Sequence, residues 1–204
     1  MTEEKKNEIN GKIGKEFGKI SQLRFEAVGP LLGAELLTKT LIALILSTLL
    51  ILFYITWQFK NVAFGVCATV ATLHDALVLL GSFSFLSRFF NFEADVLFVT
   101  ALLTVLSFSV HDTIVTYDRI RESTQKFPNA SFDSLINKAM NETLVRSLNN
   151  SLTVIFMLVA LVVLGGETIR QFAVALLIGT ITGTYSSLFT AAPLLSVWVS
   201  RAKK

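Results

Sequence analysis

Two acids in this chain stand beside histidines inside long apolar runs, as His74-Asp75 and His111-Asp112. An ionisable side chain at the middle of a membrane helix costs about 2.5–3.5 kcal/mol on insertion scales, so it reads as functional and calls for a partner. On a helix, side chains three, four and seven apart share a face. Ser109, Asp112, Thr116 and Arg119 therefore form one stripe, and Thr104, Ser107, His111 and Asp118 form the next. Ser109 and Thr116 are placed to hydrogen-bond Asp112, with His111 beside it and Arg146 on the following run as candidate cations. A carboxyl poised between withdrawal from water and a nearby positive charge can load and release a proton as helix packing alternates. Asp112, His111, Thr116, Ser109 and Arg146 are thus the candidate ion path, and His74-Asp75 a secondary polar pair. The plainer alternatives are an acid that sits near the head groups at a helix end and a polar pair satisfied by neighbouring helices.

Other chemistries lack their residues. No GxSxG elbow is present for a nucleophilic serine. No HExxH occurs, and adjacent His and Asp on a helix point about 100° apart, so the two dipeptides do not make a metal site. No glycine-rich phosphate loop is present. The reading is of a non-enzymatic chain with no metal and no cofactor.

The elements that must position these residues follow from composition. The chain has 204 residues, 52% of them hydrophobic and 16% charged. Soluble domains carry about 25% charged residues, so the composition is that of a membrane protein. The net charge of +3 is small and its basic residues collect at the ends of apolar runs, which argues against nucleic-acid binding. The lone Cys67 lies in an apolar run and reads as a small packing residue.

Residues 1–24 form a polar tail without a cleavable signal, and residues 25–39 an amphipathic lead-in broken at Gly29-Pro30. Residues 40–200 form the membrane domain, with spans predicted at about 40–59, 62–85, 96–117, 148–164 and 172–199. Only Lys60 and Asn61 separate the first two, which predicts a tight hairpin. Residues 87–95 read as a loop, and residues 119–146 as the longest polar connection. Within the latter, residues 131–144 carry apolar positions at helical spacing, predicting a surface helix capped by Ser131 or Ser134. Gly179 and Gly183 have the spacing that lets helices approach closely. Lys60, Arg119, Arg121, Lys126, Lys138, Arg146, Arg201, Lys203 and Lys204 fall on one side of such a topology. The positive-inside rule makes that side cytoplasmic, together with the basic end 201–204, and leaves the lysine-bearing tail on the other side.

Residues 112–122, DTIVTYDRIRE, resemble the signature of the fourth span of the SecF family, which usually reads GYSxNDTIVVFDRIREN. Here Ser107 and Phe108 replace Gly-Tyr, and His111 replaces Asn. Val28, Gly29, Pro30, Gly33, Glu35 and Leu36 are similar to the family's VGPxxGxEL entry, LHD at 73–75 to its LIHD, RSLNNS at 146–151 to its RTxxTS, and GTYSS at 183–187 to its last span. The resemblance covers about residue 22 to the C-terminus. It implies an all-α, five-helix membrane bundle like half of an RND-type membrane domain. It also implies that Arg146 joins a charge network and that GTYSS serves packing. It further implies an auxiliary subunit of the Sec protein-export translocase of the bacterial cytoplasmic (inner) membrane. Such a subunit couples a proton or sodium gradient to translocation of an unfolded polypeptide, with a SecD-like subunit, the SecYEG channel and membrane lipid as partners. SecF proteins have a first span and an extracytoplasmic domain before this point, so the sequence is expected to be a SecF fragment. The alternatives are an RND-type exporter of small molecules or lipids, and a membrane scaffold without an ion path.

Overall fold

The structure is a computed structural model that describes residues 30–90 and 92–202. The described residues fold into α1 (Pro30–Phe59), α2 (Val62–Phe90), α3 (Val96–Lys126), α4 (Phe132–Leu164), α5 (Glu167–Ser186), a π-helical turn (Ser187–Ala191) and α6 (Ala192–Ala202). Among the described residues, five segments are long and apolar enough to cross a membrane: Glu35–Phe59, Val62–Phe90, Val96–Lys126, Phe132–Leu164 and Ile169–Arg201. The chain divides into two units, Met1–Ile42 and Ala43–Lys204. In the first, Lys39 Nζ pairs with Glu35 Oε1 at 2.7 Å, one turn apart and exposed. The second carries the packing described below.

The helices run longer than the apolar runs suggest, and the causes are local. Pro30 is the first helical residue, where a missing N–H is tolerated, so the expected lead-in from 30 to 39 is already part of α1. The polar tail and the lead-in before Pro30 lie outside the described residues. The hairpin after α1 turns on Lys60 in the left-handed region (φ 52°), and Asn61 Oδ1 accepts from Ala63 N at 2.9 Å to start α2. Helix α2 takes in part of the expected loop 87–95 and ends at Phe90. Asp95 then caps α3, accepting from Phe98 N at 2.9 Å.

Helix α3 continues nine residues past the expected 117 to Lys126. Pairs one turn apart accompany that stretch, with Asp118–Arg121 at 2.8 Å, Arg119–Glu122, and Glu122–Lys126 at 2.6 Å. The expected surface helix 131–144 and span 148–164 are one helix of 33 residues. Ser131 is its N-cap, and the exposed Asn149 and Asn150 pass through without a break. In the last span Pro193 lacks the N–H that would reach the Phe189 carbonyl, and in a regular α-helix its ring would crowd that carbonyl. The chain absorbs the misfit as the five-residue π turn just before it.

Helix α5 packs on α2, α3 and α4. Its approach to α3 depends on Gly179 and Gly183. A Cβ at Gly179 would overlap Val105, and one at Gly183 would stand 3.1 Å from the Cβ of Ser109. The core is two apolar clusters stacked along the bundle. The first joins Phe59, Phe64, Ala71, Val110, Tyr117, Ile120, Ala191 and Leu195, and the second joins Ala76, Leu79, Phe83, Phe98, Leu102, Leu106 and Ala175. On α2, α3 and α5 a short polar level separates the two.

Candidate functional site

That level contains Asp75 on α2 and Asp112 on α3, exposed by only 0% and 4%. On α2, Asp75 falls between Ala71 of the first cluster and Ala76 of the second. On α3, Ser109 falls between Leu106 and Val110, with Asp112 a turn further on, and on the last span Ser186 and Ser187 fall between Ala175 and Ala191. Each apolar cluster contains packed aromatic rings. Phe59, Phe64 and Tyr117 lie with centroids 5.1–6.0 Å apart on one side, and Phe83 stacks on Phe98 at 4.1 Å on the other.

Asp112 accepts from two helices other than its own. Ser147 Oγ of α4 donates to Oδ1 at 2.9 Å, and Ser187 Oγ donates to Oδ2 at 3.1 Å. Asp75 Oδ2 accepts from Ser109 Oγ of α3 and from Ser186 Oγ at 2.5 Å, while its Oδ1 lies 3.1 Å from His74 Nδ1. Ser151 and Thr184 join α4 to α5 through their hydroxyls at 2.5 Å. Ser186 and Ser187 are neighbours, so their side chains diverge by about 100° on the helix and address different acids. One strand of backbone thereby holds both carboxyls.

The serines reach across, whereas the threonines mostly bond their own helix. Thr113, Thr116 and Thr143 donate to the carbonyls four residues back, at 2.9–3.2 Å. This corrects the expected surroundings of Asp112. Thr116 is fully buried beside Asp112 but donates to its backbone carbonyl, and Ser109 serves Asp75. His111 and Arg146 are both exposed, because their neighbours Asp112 and Ser147 occupy the inward face and the next residue turns away by about 100°. Arg146 makes no ion pair among the described residues. Arg119, on the same stripe as Asp112, reaches Glu142 of α4 at 2.5 Å instead. The GTYSS segment supplies donors to both acids in addition to its packing glycine.

Ser147, Ser186 and Ser187 are the site residues that motif reading passes over. Ser147 and Ser151 are four apart, hence on one face, which is a signal in the sequence. Nothing in Ser186-Ser187 itself says that each meets a different acid. No Lys or Arg among the described residues pairs with either carboxyl. A buried carboxylate whose described partners are hydroxyls alone, as at Asp112, carries an uncompensated charge, which a proton or a small cation removes. No cluster of three or more His, Cys, Asp or Glu fit to hold a metal occurs among the described residues.

Residues 9–201 match the family described as protein export membrane protein SecD/SecF, C-terminal. The protein translocase subunit SecF of Thermobaculum terrenum is 49% identical over 189 residues, covering 91% of this chain and 60% of the relative. SecF of Anaerolinea thermophila is 44% identical over 186 residues, covering 89% of this chain and 60% of the relative. The chain thus spans about 60% of the length of these relatives. The crystal structure of SecDF, a translocon-associated membrane protein from Thermus thermophilus, superposes with a TM-score of 0.86 at 33% identity, covering 98% of this chain and 27% of that one. Its super-membrane-facing form gives a TM-score of 0.76 at 31% identity, covering 100% and 27%.

Proposed function

The chain belongs to the SecD/SecF family of protein-export membrane proteins, and from that premise we propose that it is the membrane half of a SecF-type translocase subunit whose Asp112 carries the coupling ion. The observation that carries the reading is the setting of Asp112. It is buried and held by Ser147 and Ser187 from two other helices, with no Lys or Arg paired to it among the described residues. Neutralising it changes the charge at a junction of three helices. One elementary charge crossing the membrane potential is worth about 2.3 kcal/mol per 100 mV, enough to bias two packings of those helices. No bond of a substrate is made or broken in such work, so the role is transport and not catalysis.

The partners follow from the same reading. A fused SecDF relative from Thermus thermophilus is 34% identical over 203 residues, which favours a SecD-like chain as neighbour. Beyond it stand the SecYEG channel, the unfolded polypeptide and the surrounding lipid. Thr104, Ser107 and His111 are exposed on α3 at the middle of a span, a costly arrangement in lipid alone and a suitable one against a polar partner helix. The bacterial cytoplasmic membrane, with the C-terminus inside, is the location consistent with the loop charges.

The test is Asp112→Asn in a complete SecF-type subunit with its SecD partner. Membrane insertion and association are expected to persist, and stimulation of export by an imposed gradient to vanish. Normal gradient-dependent export by that variant sinks the reading.

A further inference from the structure

We infer that Asp75 is a second proton-binding site, loaded from the side of the bundle through His74. The inference rests on the gradient-coupling reading of Asp112 and adds a distinct acid and a distinct route.

Asp75 is the less accessible of the two acids, and its carboxyl is divided between two kinds of partner. Oδ2 is saturated by the hydroxyls of Ser109 and Ser186, from α3 and α5. Oδ1 has His74 Nδ1 at 3.1 Å. Along the bundle axis the polar level has the Phe59, Phe64 and Tyr117 rings to one side and the Phe83–Phe98 stack to the other. Sideways, the His74 side chain is 43% exposed while the acid it touches is at 0%. Among the described residues, His74 is therefore the titratable group in contact with Asp75, and it also stands on the lateral surface of the bundle at mid-span. From α3 and α5 only the uncharged Ser109 and Ser186 face this carboxyl, and no Lys or Arg of α3, α4 or α5 pairs with it.

Imidazole can pass a proton without moving. With the Nδ1–H tautomer facing Oδ1, the ring accepts a proton at Nε2 from water or a polar group of the partner subunit at that lateral surface and releases the Nδ1 proton to Oδ1. The products are a neutral ring in its Nε2–H form and a protonated Asp75, so charge and protons balance. A protonated Asp75 keeps its Oδ2 bonds to Ser109 and Ser186, since those hydroxyls donate to the other oxygen. Ser186 is covalently next to Ser187, the donor to Asp112.

The experiment is infrared difference spectroscopy after a pH jump, on the full subunit with its SecD partner in proteoliposomes. Asp75→Asn is expected to remove one carbonyl band of a protonated carboxylic acid, and Asp112→Asn a different one. His74→Gln should keep both bands but slow the Asp75 band about a hundredfold, the low end for a positioned proton-transfer group. Ser186→Ala, which keeps the acid, should shift that band's frequency, so the assignment stands even if Asp75→Asn folds poorly. A spectrum unchanged by both Asp75→Asn and Ser186→Ala overturns the second site, and an unchanged rate in His74→Gln overturns the route. If Asp112→Asn abolishes gradient-stimulated export while the Asp75 and Ser186 variants leave the spectrum untouched, this inference fails and the function stands. If Asp112→Asn exports normally while the Asp75 band is present, the function fails and the second site stands.

Discussion

Ser147 and Ser187 each donate to a different oxygen of Asp112, but they are not equivalent. Ser187 has a second acceptor, the Thr184 carbonyl, also at 3.1 Å, whereas Ser147 has its cross-helix acceptor alone. When a proton lands on Oδ2, the Ser187 hydroxyl can turn to Thr184 without leaving a buried group unpaired. When it lands on Oδ1, Ser147 has no comparable alternative. Under the role proposed for Asp112, Oδ2 is the oxygen that accommodates a proton best, and Ser147 is the fixed donor. Removing a hydrogen bond between membrane helices costs about 0.6 kcal/mol on average and up to about 1.7. Ser147→Ala is expected near the upper figure and Ser187→Ala near the lower, measured as shifts in denaturant-induced unfolding in detergent. Equal losses, or a larger one for Ser187→Ala, would remove the asymmetry. His111→Asn, at an exposed position without a hydrogen bond among the described residues, should leave that stability unchanged. At this scale the sequence pointed to Asp112 through its motif and its burdened position in an apolar run. It misplaced the acid's donors, because Ser109 and Thr116 share its face but not its carboxyl: one is turned to α2 and the other to its own backbone.

The elements work as a clamp whose tightness is set by small residues. Gly179 and Gly183 bring α5 onto Val105 and Ser109 of α3, and the same approach delivers Ser186 to Asp75. Tyr117 then fastens α3 to the π turn by donating to the Ala191 carbonyl at 3.1 Å. A π turn beside a polar site is a frequent functional feature, and here it begins at Ser187, the second of the serine pair. Gly179→Ala puts a methyl into Val105, and overpacking of that kind costs about 1–3 kcal/mol. The double variant with Val105→Ala should recover most of the loss. Thermal unfolding of the four proteins in a cycle measures the coupling, and additivity would show that Gly179 and Val105 do not meet. Helix existence was readable from the apolar runs. The extents were not, because 119–126 and 131–146 are polar enough to pass for connection. Ion pairs one turn apart run along the first, and the start of α4 shields one face of the second, with Leu135, Ile136, Ala139, Thr143 and Ser147 buried. The wide turn at Ser187–Ala191 is a response to Pro193 that a periodicity count absorbs without trace.

At the scale of the whole molecule, the helices crossing the membrane put the α3–α4 connection and the C-terminus on one face and the α2–α3 connection on the other. Arginines and lysines favour the cytoplasmic side near span ends. Arg119, Arg121, Lys126, Lys138 and Arg146 surround the first connection, and Arg88 alone stands near the second. Their ion pairs do not cancel that bias, since the rule counts positive residues and acids contribute little to it. Arg119 and Arg121 also hold structural contacts, to Glu142 at 2.5 Å and over the Phe59 ring at 5.4 Å, so this face is ordered as well as basic. The topology is open to direct measurement. Asn129→Cys in the α3–α4 turn and Glu93→Cys before α3 are both exposed positions. With Cys67→Ala as background, an impermeant thiol reagent added to intact cells should label Glu93→Cys and spare Asn129→Cys, with the pattern reversing in inverted vesicles. Labelling of Asn129→Cys from outside would turn the molecule over. It would also reverse the direction in which Asp112 faces the ion gradient, since the acid lies on α3 between these two connections.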